Sequence, residues 1–131
     1  MTFRLALAAL AGALIASGAS AQTAGAFMQN PAFKDPAPAK CETTFDMQHC
    51  AARDLRVADA QMSARYSALR ARLKPAARQK LLVEQRKWLA ERDRGCVAKG
   101  KRYRGGTIAP VVVAQCWVDV TKARAKVLAR R

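Results

Sequence analysis

The chain has 131 residues, 51% of them hydrophobic, with 24 Lys and Arg against 9 Asp and Glu, for a net charge of +15. That length supports one small domain, burying roughly two-thirds of the surface that its unfolded chain exposes, and excludes a multidomain machine. Such a basic balance inside a cell would suggest nucleic acid; outside the cytoplasm it suits acidic envelope polymers or anionic headgroups instead.

The N-terminal end decides between these. Arg4 supplies a positive n-region, Leu5 to Ala16 is an apolar run, and Ala19-Ser20-Ala21 is a small-residue cleavage site. The pattern predicts a signal peptide over residues 1–21, with the mature chain beginning at Gln22. The run is too short for a membrane span of about 20 residues. No cysteine adjoins the cleavage site to carry a lipid. The expected location is therefore periplasmic or secreted, not membrane-spanning, with no nucleic-acid partner. Loss of Arg4 leaves 23 cations against 9 carboxylates, a net +14.

Residues 22–40 contain Pro31, Pro36 and Pro38 and no sustained periodicity, which predicts a flexible Pro/Ala-rich leader. The folded unit is expected over 41–131. Thr43 with Asp46 resembles a capping box. From there Met47, Ala51, Leu55, Ala58, Met62, Tyr66, Leu69 and Leu73 recur at steps of three and four, one face of a long helix. Pro75 ends that helix and suits the first turn of the next. In the second helix Leu81, Leu82, Gln85, Trp88, Leu89, Arg92 and Cys96 share a side. So short a turn predicts antiparallel neighbours. A basic loop, Lys99 to Thr107, follows. Ile108 to Val113 is β-branched enough for a strand, but Thr107, Pro110 and the spacing of Val113, Cys116, Trp117, Val120 and Val127 favour a third helix. Its basic end (Lys122, Arg124, Lys126, Arg130 and Arg131) suits the negative pole of a helix. The expected fold is all-α, a disulfide-stapled three-helix up-down-up bundle built on a long helical hairpin.

Catalytic chemistry finds little to stand on. His49 is the single histidine, there is no Ser-His-Asp set, and the cysteines lack the Cys-x-x-Cys spacing of a zinc site. Asp54, Asp59, Glu91 and Asp93 each lie near arginines, so ion pairing accounts for them. No enzyme activity, cofactor or metal is expected. Asp59 shares the apolar face of the first helix and needs a partner if buried. It lies sixteen residues before Pro75 and Arg92 seventeen after it, which predicts an Asp59–Arg92 ion pair that fixes register. Arg86 and Arg124 are alternative partners.

Four cysteines in an exported chain predict two disulfides. Counting from Pro75 places Cys50 and Cys96 at the far end of the hairpin, with Cys41 and Cys116 near the same pole. Cys50–Cys96 with Cys41–Cys116 fits the hairpin best; Cys41–Cys50 with Cys96–Cys116 is the alternative.

These residues carry a resemblance. Cys50-Ala51, Asp59 with Tyr66, Gln85-Arg86-Lys87-Trp88-Leu89, Arg92-Asp93 and Cys96 are family-like, as are Gly105-Gly106-Thr107, Cys116, Thr121, Arg124 and Leu128. Together they resemble the LprI-type family of small exported bacterial proteins, named for a lysozyme inhibitor, over Cys41 to Leu128. Met62-Ser63 stands where that family commonly has Leu-Asn. The resemblance implies a compact helical domain that inhibits lysozyme or another wall-lytic enzyme. Lys99, Lys101, Arg102, Tyr103, Arg104, Gly105 and Gly106 form the candidate binding surface. The alternative expectation is an envelope-binding module that docks anionic glycolipid, phospholipid or wall polymer through the same loop and the basic C-terminal face.

Overall fold

The computed structural model describes residues 22–131; the expected signal peptide lies outside them. The described chain is all-helical. A one-turn α1 (Ala24–Met28) and a 3-10 turn (Pro31–Phe33) precede three long helices, α2 (Thr44–Arg72), α3 (Pro75–Gly100) and α4 (Ala109–Ala129). A second 3-10 turn, Lys101–Tyr103, continues from the end of α3.

Local chemistry explains the boundaries. Thr43 accepts a bond from the Asp46 N–H while the Asp46 carboxylate accepts from the Thr43 N–H, closing a capping box on α2. Leu73 and Lys74 are extended ahead of Pro75, which stands in the first turn of α3. The β-branched run before Cys116 is helical, with Pro110 in the first turn of α4. Thr107 does not cap it: Ile108 occupies that position and makes no side-chain bond.

Packing departs from the hairpin expectation. The turn at Leu73-Lys74 makes α2 and α3 consecutive, yet both lay their main contact surface on α4, and their backbones hardly approach each other. Small residues explain the preference. Ala51, Ala52 and Ala58 on α2, with Ala114 and Ala125 on α4, are all buried, and they let two backbones come close. Bulkier Leu81, Gln85, Trp88 and Arg92 hold α3 further out.

That arrangement also corrects the favoured disulfide pairing. The bonds are Cys41–Cys50 and Cys96–Cys116. With α4 as the shared partner, Cys96 near the end of α3 meets Cys116 near the start of α4, at a Cα–Cα distance of 5.5 Å. Cys41 folds back onto the first turns of α2, 6.3 Å from Cys50 between Cα atoms.

Part of residues 22–40, the expected flexible leader, packs against the long helices. Ala24, Phe27 and Phe33 are buried. Phe27 lies 5.2 Å from Phe33 and 5.5 Å from Trp117 between ring centroids, within the range of attractive aromatic pairs. Arg56 of α2 donates to the carbonyls of Met28 and Phe33 and to the Asp35 carboxylate, at 3.1, 3.1 and 2.8 Å. One side chain thus satisfies two carbonyls that no helix would have paired. His49 bonds the Lys34 carbonyl through Nε2, a structural use of the single histidine.

The apolar interior forms two clusters. One joins the N-terminal strap to Leu55, Cys96, Val113, Cys116, Trp117 and Val118. The other gathers Met62, Leu69, Leu81, Ala125 and Leu128, with Tyr66, Leu73, Trp88 and Leu89 packed against it. Trp117 is fully buried, and its indole N–H finds no acceptor among the described residues. Its burial outweighs that unmet bond, which costs about 1–3 kcal/mol.

Candidate functional site

Two groups of charged side chains stand out, one buried and one exposed. The buried one is a layer of polar residues contributed by all three long helices. Arg92 and Arg124 are 6% and 8% exposed, and Gln85 and Thr121 are buried with them. Arg92 donates through Nε to Asp93 Oδ1 at 3.0 Å and through Nη1 to Thr121 Oγ1 at 3.2 Å. Its contact with Asp59 is longer, 3.8 Å. The structure therefore brings the predicted pair together, but Asp93 is the nearer carboxylate.

Arg124 has a set of its own. It donates to Gln85 Oε1 at 3.0 Å and to Glu84 Oε1 at 2.9 Å, and Arg131 reaches the same Glu84 oxygen at 2.8 Å. The Gln85 amide in turn donates to Met62 Sδ. Both guanidinium groups lie over the Trp88 ring, Arg92 at 5.2 Å and Arg124 at 5.5 Å from its centroid, which offsets part of the cost of burying two cations. Burial pushes the Glu84 carboxyl up, but the hydrogen bonds and charges of Arg124 and Arg131 outweigh it and hold it below its ordinary value. This layer is closed and largely satisfied. Its side chains bond α3 to α4 and bring Arg92 within reach of Asp59 on α2.

Glu84 and its link to Arg124 escaped the sequence reading. A signal was present, since Gln85 and Arg92 interrupt the apolar side of α3 and Arg124 follows Thr121 on α4. A polar residue on an apolar side demands a partner, but naming it requires knowing where α4 lies.

The exposed group is the basic loop. Lys99 ends on α3, Lys101, Arg102 and Tyr103 form the 3-10 turn, and Arg104, Gly105 and Gly106 complete the bend; all are solvent-exposed. Gly105 has φ +87°, a left-handed conformation that disfavours any side chain. Gly100, just inside the helix, is buried against Val113 so closely that a Cβ there would clash with it. The Cys96–Cys116 bond closes the segment across its base, a separation of 20 residues. Tyr103 is 43% exposed beside a shallow depression of about 280 Å³ lined by Ala98, Lys99, Arg102 and Val112. No ion pair among the described residues involves Lys99, Lys101, Arg102 or Arg104.

Among the described residues no cluster of His, Cys, Asp and Glu could hold a metal ion, and no helix is long and apolar enough to cross a membrane.

Comparison with known proteins agrees with the arrangement of motifs. The family described as lysozyme inhibitor LprI matches residues 35–128, a span that takes in both disulfides, the arginine layer and the loop. The chain is 30% identical over 115 residues to the uncharacterized protein R02472 of Rhizobium meliloti (strain 1021), covering 78% of this chain and 81% of that one. No solved structure matches. A family match across most of the chain, with the helices and disulfides in place around it, shows that the chain belongs to the LprI lysozyme inhibitor family.

Proposed function

We propose that the protein is exported, is not an enzyme, and inhibits a lysozyme by presenting the basic loop 99–107 to its catalytic cleft. The observation that carries this reading is the loop itself, a cationic turn braced at its base by Cys96–Cys116. Bracing removes part of the ordering cost that a floppy loop would meet on binding. Glycoside hydrolases flank the bond they cleave with two carboxyl groups. Lys101, Arg102 and Arg104, which take part in no ion pair among the described residues, complement such a site, and Tyr103 supplies an aromatic anchor. Family membership supports the same assignment. The test is a turbidity assay of lysozyme on bacterial walls at two salt concentrations. The expected outcome is inhibition at micromolar protein, weakened about tenfold or more by Lys101→Glu, Arg102→Glu and Arg104→Glu together. An unaltered protein that leaves the lytic rate unchanged at that concentration would remove the reading.

A second reading, docking on anionic envelope polymer or lipid, is favoured by one further feature. A groove of about 520 Å³ between α2 and α4 is lined by Gln61, Arg65, Lys122 and Lys126 over alanines, with no carboxylate among its lining residues. Sedimentation with anionic and neutral vesicles checks it. Binding indifferent to lipid charge and salt would count against it.

A further inference from the structure

We infer that the outer face of α3 is a binding trough for a single long-chain fatty acid in its ionised form. The site shares Lys101 and Arg104 with the basic loop, but its floor lies on α3 and it does not rest on the lysozyme reading.

The trough follows from helical spacing. Arg86, Leu89, Ala90, Asp93, Arg94, Val97, Ala98 and Lys101 recur at steps of three and one, so they form a continuous strip along α3. Gln22 and Thr23 also line this open depression of about 720 Å³. A second depression of about 270 Å³ shares Gln22, Val97 and Lys101 with the first and extends it past Gly100 to Arg104, Gly105 and Pro110. The strip from Arg86 to Lys101 is about 22 Å long at helical rise. One acyl chain spans about 15 Å, half of a bilayer's hydrocarbon core. Chain and headgroup fit end to end, and the volume lies within the usual range for small-ligand sites.

Charge selects the headgroup. Arg86, Arg94, Lys101 and Arg104 border the trough, and none takes part in an ion pair among the described residues. The one carboxylate in the lining, Asp93, is already committed to Arg92 at 3.0 Å and to the Ala24 N–H at 3.4 Å. The floor, Leu89, Ala90, Val97 and Ala98, is apolar. The carboxylate of the ligand is placed between Lys101 and Arg104, where the two depressions merge. The chain runs from there over Val97 towards Leu89, flanked by the aliphatic stems of Arg94 and Arg86.

The experiment uses protein purified from the periplasm of an expression host, with displacement of a fluorescent polyene fatty acid as readout. Oleate is expected to displace it at micromolar concentration. Oleyl alcohol, lacking the charge, and hexanoate, lacking the chain, are each expected to be at least about tenfold weaker. Ala90→Glu places a carboxylate on the floor at an exposed helical position and is expected to weaken oleate at least tenfold while leaving lysozyme inhibition and the thermal midpoint unchanged. Lys101→Glu with Arg104→Glu is expected to weaken it similarly, and Lys122→Glu, away from the trough, to have no effect. Equal displacement by the alcohol, oleate binding untouched by Ala90→Glu, or no displacement at all would each overturn the assignment.

Discussion

Arg92 and Arg124 show how a small basic domain keeps two cations in its interior. Each has a carboxylate, a neutral acceptor and the Trp88 ring. Removing one member leaves the others buried and unpaired, which is where the energy lies. Arg92→Met is expected to cost about 3 kcal/mol in urea denaturation, since Asp93 and Thr121 lose their donor. Asp59→Asn should cost below about 1 kcal/mol, because Asp59 is partly exposed and 3.8 Å away. Equal costs for the two variants would make Asp59 the principal partner. Glu84 gives the layer a pH dependence. Its carboxyl is held below the ordinary 4.5 in the folded state, so the stability it contributes is complete above about that pH and is lost as pH falls through the lower folded value. Between about pH 5 and pH 3 the thermal midpoint of Glu84→Gln should therefore fall less steeply than that of the unaltered protein. The difference is small, since 44% of the Glu84 side chain is exposed and solvent screens the pair. Parallel slopes would remove Glu84 from the acid response.

At the scale of elements, helix formation was readable and helix neighbourhood was not. The capping box at Thr43, the break at Pro75 and the helical reading of the segment after Thr107 all rest on local chemistry, and the structure has them. The disulfide pairing rested on a non-local assumption, that a short turn makes two helices packing partners. The alanines of α2 override it by offering α4 a closer approach than α3 achieves. The strap was missed for a related reason: Phe27 and Phe33 carry no periodicity, and only the slot beside Trp117 gives them a use. The two disulfides differ in what they close. In the loop-entropy account the separation of 20 residues at Cys96–Cys116 is worth about 3 kcal/mol and the separation of 9 at Cys41–Cys50 about 2.5 kcal/mol. Replacing Cys96 and Cys116 together by alanine should lower stability slightly more, and should also loosen the basic loop, seen as faster amide exchange over 99–107. Non-reducing peptide mapping that recovers Cys50 joined to Cys96 would overturn this.

For the molecule as a whole, charge and burial divide the labour. The buried cations Arg92 and Arg124 pair with carboxylates of α2 and α3, while the exposed ones at 99–104 and Arg86 and Arg94 on the α3 strip take part in no ion pair among the described residues. Arg92 and Arg124 belong, with the four cysteines, to the motif residues that carry the family resemblance, whereas the all-helical fold was legible in the apolar spacing. The second set has no comparable pattern, because a surface that meets a partner is shaped by that partner. One consequence follows from the place of α4. The helix at the C-terminal end of the chain is the one against which α2 and α3 both pack, so a chain still emerging N-terminus first has its outer walls before it has a centre. Contacts of high sequence separation must form late. A chain cut short before Ala109 would lack the helix on which α2 and α3 both pack.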